Sequence, residues 1–181
     1  DHPGTPYLYK DNQFDTPSGK GQLFAAPWRA PAEVPDPDYP LVLCTVREVG
    51  HYSCRSMTGN CAALQSLADE PGRVQIHPAD ADALGIADGQ LVWVRSRRGK
   101  VITRASVSER INAGAVYMTY QWWIGACNEL TQDNLDPVSK TPETKYCAVQ
   151  LEAIDDQRWA EDYAASAYQS MKSRLISAVN V

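Results

Sequence analysis

The stretch that most constrains this chain is residues 41–60, LVLCTVREVGHYSCRSMTGN. Its opening, LVLCTV, follows Pro40 and is aliphatic or β-branched apart from one cysteine, so residues 41–46 read as a buried strand. From Arg47 the character changes. Arg, Glu, His, Tyr, Ser and Thr crowd together, and so many donors and acceptors cannot lie unpaired in an apolar core. A buried strand that runs straight into such a loop delivers it to the end of a sheet or barrel. Loops hung this way are where such scaffolds hold ligands, which makes residues 47–60 the first candidate site.

The rest of the chain is punctuated as a small barrel. Eight of the twelve prolines fall in residues 1–40, and residues 1–38 read as an extended arm leading into the domain. Within it, residues 16–19 (TPSG) signal a turn and residues 22–26 a short strand. After the polar loop, residues 61–68 (CAALQSLA) have helical composition, with Thr58 or Asn60 as cap and Pro71-Gly72 as stop. Residues 73–77 form an alternating strand. Residues 78–85 form a short helix with Pro in its first turn, acids at the positive end of its dipole and Gly85 as its stop. Strands are then expected at 91–94, 101–107, 115–121 and 146–154, separated by turns at Asp88-Gly89, Gly99 and residues 112–114. Short strands with tight turns and two short helices describe a mainly β fold, a compact β-barrel over residues 39–155. In the tail, Trp159, Tyr163, Ala167, Met171, Leu175 and Val179 recur at every fourth position, so residues 156–181 are expected to form an amphipathic helix packed on the barrel.

Composition narrows the function classes. A chain of 181 residues buries roughly 70% of its unfolded surface, enough for one domain and an appendage. The net charge of −5 argues against a nucleic-acid partner, which wants a basic face. No apolar run approaches the roughly 20 residues of a membrane span, and the start DHPGTPYLYK lacks a signal-peptide layout, so a cytoplasmic chain, or one cut from something larger, is expected. The five cysteines are odd in number and lack paired C-x-x-C spacing, which disfavours a disulfide framework or a structural zinc. Cys44 and Cys147 sit in apolar runs as plain buried thiols. Cys54, three residues after His51, allows a thiol-hydrolase reading, but no orienting carboxylate or oxyanion donor is identifiable beside it.

A second polar patch lies at residues 120–131, YQWWIGACNELT. Adjacent Trp122 and Trp123 cannot both face inward on a strand, so one packs outward, against the arm or the tail helix or on a ligand. Asn128 and Thr131 suit a turn and a cap as readily as ligand contacts.

Taken in order, TVREVGHYSCRSMTGN, IHPADADALGIADGQLVWVRSRRGKV, GAVYMTYQWWIGACNELT and SKTPETKYCAV resemble the carboxyl-terminal dinucleotide-binding domain of the molybdopterin oxidoreductase (dimethyl sulfoxide reductase) family. They are most similar to molybdenum- or tungsten-dependent formate dehydrogenases of the hydrogenlyase type. The resemblance covers nearly the whole chain and implies a double-psi β-barrel. It also implies the cofactor, molybdopterin guanine dinucleotide in its paired form (bis-MGD), held by loops at one end of the barrel. By resemblance, Thr45, Arg47, Glu48, Val49, His51, Ser53, Met57 and Thr58 occupy the first contact loop, and Tyr120, Gln121, Asn128, Lys145 and Tyr146 the second and third.

The chemistry of these side chains suits that role. Arg47 presents a fixed fork of donors to a pterin oxygen or a phosphate, and Asn128 offers a donor and an acceptor together. Arg47, Arg55 and Lys145 are placed to offset phosphate charge, whereas residues 95–100 (RSRRGK) read as a solvated hairpin end. The plainer alternatives are a Glu48–Arg47 pair and a satisfied loop histidine at His51. The family's iron-sulfur cysteines and its metal-ligating Cys or selenocysteine have no counterpart here. The resemblance therefore implies upstream domains of the same polypeptide carrying the Fe-S cluster and metal ligand, an electron-transfer subunit as partner, and an isolated chain that does not oxidise formate. A cofactor-free barrel acting as an assembly module stays open, because fold does not fix function.

Overall fold

The computed structural model describes residues 4, 6–67 and 70–179, with only the backbone described over 175–179. Residues 1–30 and 31–181 form two units. In the first, a short 3-10 turn at Lys10–Asn12 precedes the TPSG turn, where Thr16 Oγ1 donates to the Lys20 carbonyl at 2.8 Å, and Tyr9 stacks on Phe14. Residues 22–26, expected as a short strand, have no regular structure: the segment between the TPSG turn and Pro27 finds no strand partner.

The second unit is a double-psi β-barrel. Its strands are β1 (Leu41–Val46), β2 (Arg73–Ile76), β3 (Leu91–Arg95), β4 (Lys100–Val107), β5 (Ala115–Thr119) and β6 (Tyr146–Ala153). They close in the order β1-β5-β2-β4-β3-β6. Two pairs are parallel, β1 with β5 and β2 with β4, and the others antiparallel. Alternation along each strand fills the interior. Leu41 and Leu43 of β1, Val74 and Ile76 of β2, Val92 and Val94 of β3, Val116 and Met118 of β5 and Val149 and Leu151 of β6 form one core. Fully burying each such side chain contributes about 1.5–3 kcal/mol.

The helices are α1 (Ala62–Gln65), α2 (Pro78–Leu84) and α3 (Gln157–Val179). α1 is shorter than expected and has no side-chain cap; Thr58, a candidate cap, turns back toward His51 instead. Ala68, at the far end of that expected helix, lies outside the described residues. α2 matches its signals, with Pro78 at its start, His77 accepting from Ala79 N–H and Gly85 closing it in the left-handed region. In α3 the first two turns bury Ala160 and Ala164 rather than the expected Trp159 and Tyr163, while Ala167 and Met171 pack as expected; with Tyr168 they cover Leu91, Ile102 and Ile124 on the outside of the barrel. Small alanines allow the helix axis to approach the sheet, while Trp159 and Tyr163 flank it half-exposed around Trp93. The side chains of Leu175, Ile176 and Val179 lie outside the described residues. Of the tryptophan pair, Trp122 is buried and Trp123 faces outward onto Tyr168 of α3, ring centroids 6.1 Å apart.

The RSRRGK hairpin is not a solvated end. Arg98 makes a two-pronged pair with Glu33 at 2.7 and 2.8 Å and donates to the Leu130 carbonyl, and Arg97 pairs with Asp36. Glu33 also accepts from Ala148 N–H on β6, and the Arg98 hydrogen bonds hold its carboxyl below the usual range. The proline-rich segment after residue 30 is thereby tied to the barrel.

Candidate functional site

Strand register brings three distant segments to one end of the barrel. Val46 of β1 lies beside Thr119 of β5 in parallel, so the loops that follow, from Arg47 and from Tyr120, leave side by side. β6 runs antiparallel to β1 with Cys44 opposite Tyr146, so Lys145 enters at the same end. Thr45 fastens this seam: its N–H donates to the Lys145 carbonyl at 3.2 Å and its hydroxyl to the Thr144 carbonyl at 2.9 Å. Above it, Arg47 Nε donates to the Tyr120 hydroxyl at 2.5 Å, and Lys145 Nζ stands 5.2 Å from the centre of the same ring. Among the described residues neither cation is paired with a carboxylate, unlike Arg55, Arg95, Arg97, Arg98 and Arg104. Two unneutralised cations from different loops on one phenol form a rim suited to an anion.

Beneath the rim the two loops are joined through Gln121. Its Oε1 accepts from Glu48 N–H at 2.6 Å and from the Thr119 hydroxyl at 2.9 Å, and its Nε2 donates to the His51 carbonyl at 2.9 Å. At its back, Arg55 donates from Nε to the Gln121 carbonyl and from Nη2 to Glu70 Oε1, both at 2.5 Å. Glu70 also accepts from Trp123 N–H at 3.0 Å and Ile124 N–H at 2.8 Å. Arg55, read as a phosphate-offsetting group, is thus buried and engaged internally. Its guanidinium lies 4.2 Å from the Trp122 ring centre, and the His51 ring meets that indole edge-on. Ser53 and Arg55 adopt left-handed φ of 47° and 63°, strain that this network holds in place.

Glu48 does not pair with Arg47. Its carboxyl is turned inward, where burial raises it above the usual range, opposed by Arg73, His51 and Arg55. The Trp122 indole N–H also lowers it, although neither Glu48 Oε2 nor Trp122 Nε1 has a hydrogen bond of normal geometry. His51 Nδ1 lies 3.0 Å from Thr58 Oγ1, which also accepts from Tyr52 N–H.

The remaining expected site residues differ in exposure. Val49 and Met57 are fully or largely exposed, Ser53 is half-buried, and Tyr146 is half-buried with its carbonyl accepting from Gln132 Nε2. Asn128 sits exposed on the 3-10 turn Cys127–Glu129, whose carbonyl at Asn128 accepts from the Thr131 hydroxyl, the turn geometry weighed above. No hydrogen bond joins Asn128 to Arg47, Tyr120 or Lys145 among the described residues. The thiol of its neighbour Cys127 is pushed up to about 12 by burial and by Cys147, with Lys145 opposing. Glu70 and Thr119 were not singled out by the sequence. A carboxylate preceding Pro71-Gly72 looks like any solvated turn residue.

A cavity of about 590 Å³ lies elsewhere, between the 53–60 loop and α3, with Arg55, Trp123, Tyr168 and Lys172 in its walls. It shares no residue with the Arg47–Tyr120–Lys145 rim. We take the rim as the site because Arg47 and Lys145, neither paired with a carboxylate among the described residues, meet there on Tyr120, whereas the arginine in the cavity wall, Arg55, is engaged by Glu70.

The model of the molydopterin dinucleotide binding domain family matches residues 41–148, which is 108 of the 181 residues. This chain belongs to that family. It is 63% identical over 172 residues to "Formate dehydrogenase H" of Escherichia coli (strain K12), covering 95% of this chain and 24% of the relative. It is 42% identical over 153 residues to the "F420-dependent formate dehydrogenase subunit alpha" of Methanocaldococcus jannaschii, covering 84% of this chain and 22% of the relative. The chain thus spans about a quarter of the length of these relatives. Among solved structures, "Acetylene Hydratase from Pelobacter acetylenicus" aligns with a TM-score of 0.61 at 21% identity, over 77% of this chain and 24% of that one, a likeness of fold. No helix among the described residues is long and apolar enough to cross a membrane.

Proposed function

We propose that this domain is the dinucleotide-binding part of a formate dehydrogenase and that its barrel rim holds molybdopterin guanine dinucleotide. The observation that carries the reading is the meeting of Arg47 and Lys145, both without a carboxylate partner among the described residues, on Tyr120 at the one end where loops after β1 and β5 and before β6 converge. The donor set fits the group: two cations for the pyrophosphate, a phenol and the Asn128 amide for heterocycle edges, with Thr45, Val49, Ser53, Met57 and Tyr146 around them. His51, Thr58, Glu48 and Gln121 hold the first loop in shape from below.

When bound, the cofactor supplies the metal and the two-electron chemistry that takes formate to carbon dioxide. This chain supplies orientation and charge. Arg47 and Lys145 neutralise phosphate, and the loop donors tune the pterin through hydrogen bonds. The rim is one open wall, so the opposing wall comes from the rest of the polypeptide. The upstream domains carry the metal ligand and Fe-S cluster and pass electrons to a partner subunit. The five free cysteines suit a reducing, cytoplasmic setting.

The test is the pterin content of the full-length polypeptide, measured by fluorescence after oxidative release. Loss of a charge-assisted contact is expected to weaken retention by about tenfold or more in Arg47→Ala, and in Asn128→Ala by less. Wild-type pterin content in both variants would favour a cofactor-free assembly module instead.

A further inference from the structure

We infer that Glu70, with Arg55, is a positioning residue that locks the two cofactor loops to each other, so that they order as one unit. The inference rests on the proposed cofactor reading for its purpose, but its geometry stands alone. Glu70 follows the first loop in sequence and touches the second in space. One carboxylate takes three donors: Arg55 Nη2 from the first loop, and the Trp123 and Ile124 amides from the second. Its side chain and that of Arg55 are 3% and 7% exposed. Arg55 then reaches across to the Gln121 carbonyl, so this pair joins the loops from behind, beside the links made by the Gln121 side chain and by Arg47 with Tyr120.

The chemistry explains why a carboxylate and a guanidinium stand here. An acceptor-only group satisfies three N–H donors, whereas a glutamine would turn its own NH₂ toward at least one of them. The flat fork of Arg55 can meet Glu70 and a backbone carbonyl together and still lie over Trp122, which an ammonium cannot do. Breaking a buried pair of this kind by removing one partner is strongly destabilising, because it leaves the other charged and alone. The cost would fall on the residues that adopt left-handed φ, Ser53 and Arg55, which open with the first loop. Arg47 lies on that loop and Tyr120 on the other, so a loosened pair separates the two halves of the rim.

The experiment uses the full-length enzyme carrying Glu70→Gln or Arg55→Lys, with two readouts. In hydrogen exchange, Glu70→Gln is expected to speed exchange over residues 47–53 and 120–124 together, in pterin-loaded and pterin-stripped protein alike. In pterin retention, Glu70→Gln is expected to release cofactor about tenfold faster than wild type, with Arg55→Lys between the two. Faster exchange confined to residues 120–124, with 47–53 unchanged, would overturn the inference, as a merely local packing role predicts. Coupled loosening with unchanged pterin release would uphold the lock and refute the cofactor reading of the rim, so the two failures are distinguishable.

Discussion

Gln121→Met keeps the volume of a buried side chain while deleting its polar atoms. In the folded protein it leaves Glu48 N–H, the Thr119 hydroxyl and the His51 carbonyl without their present partner, contacts of 2.6, 2.9 and 2.9 Å. Each group stranded in a buried site costs about 1–3 kcal/mol. Thr119 is 3% exposed and cannot reach water, whereas Glu48 and His51 lie on a loop that can relax outward, so the sum stays below the full total. A net loss of about 2–4 kcal/mol is expected, which for a cooperative unit of this domain's size, at roughly 2–4 °C per kcal/mol, lowers the domain's own transition by about 4–16 °C. Gln121→Glu keeps the acceptor and loses only the donor to His51, so it should fall between. Thermal melts of the full-length protein followed by circular dichroism measure this. A Gln121→Met variant melting within about 2 °C of wild type would refute the claim that this side chain joins the two loops.

Three further outcomes follow from the same network. A methyl added at Gly72 would overlap the Trp122 ring, so Gly72→Ala should displace that indole, cost about 1–3 kcal/mol in urea unfolding and change tryptophan fluorescence; an unchanged midpoint would contradict the packing. Burial holds the Glu48 carboxyl above its unfolded value, so its stabilising contribution is full below the unfolded pKa and is lost as pH rises through the folded one. Glu48→Gln should therefore be more stable than wild type near neutral pH and show a flatter urea midpoint across the acid range, with Glu70, also raised by burial, supplying the residual slope. An equal loss of stability at every pH would sink this. Finally, the exposed Cys54 thiol is lowered by Ser56 and Ser53, while burial pushes Cys127 up to about 12 and Cys147 to about 11. Iodoacetamide should label Cys54 ahead of both, read by peptide mass, and early labelling of Cys147 would contradict the barrel register.

Local signals carried the elements, and long-range pairing hid the rest. Alternation in RVQI and VITRASV, the Pro78 start and the Gly85 stop all lie within a turn or two of what they determine, so strands and α2 were readable directly. The parallel neighbours β1 and β5 are separated by most of the barrel in sequence, and no local pattern states that Val46 lies beside Thr119; the resemblance supplied that closure. The same limit governs the site. Polar density after a strand drew attention to the loop from Arg47 and to the 120–131 patch, whereas Lys145 came from the resemblance alone; the structure brings Arg47, Tyr120 and Lys145 together. Arg55 and Arg98 were misread because a sequence shows an arginine but not the carboxylate that meets it, Glu70 in one case and Glu33 in the other. In α3 only the first two turns differ from the periodic reading, because small Ala160 and Ala164 pack closest to the sheet and the bulky Trp159 and Tyr163 flank them, whereas Ala167 and Met171 face the barrel as the spacing implies.

The most direct measurement is a structure of the full-length polypeptide loaded with its cofactor. The account predicts a dinucleotide phosphate within about 3 Å of Arg47 or Lys145, beside Tyr120. A dinucleotide seated instead in the cavity between the 53–60 loop and α3, with that rim facing solvent, would contradict it.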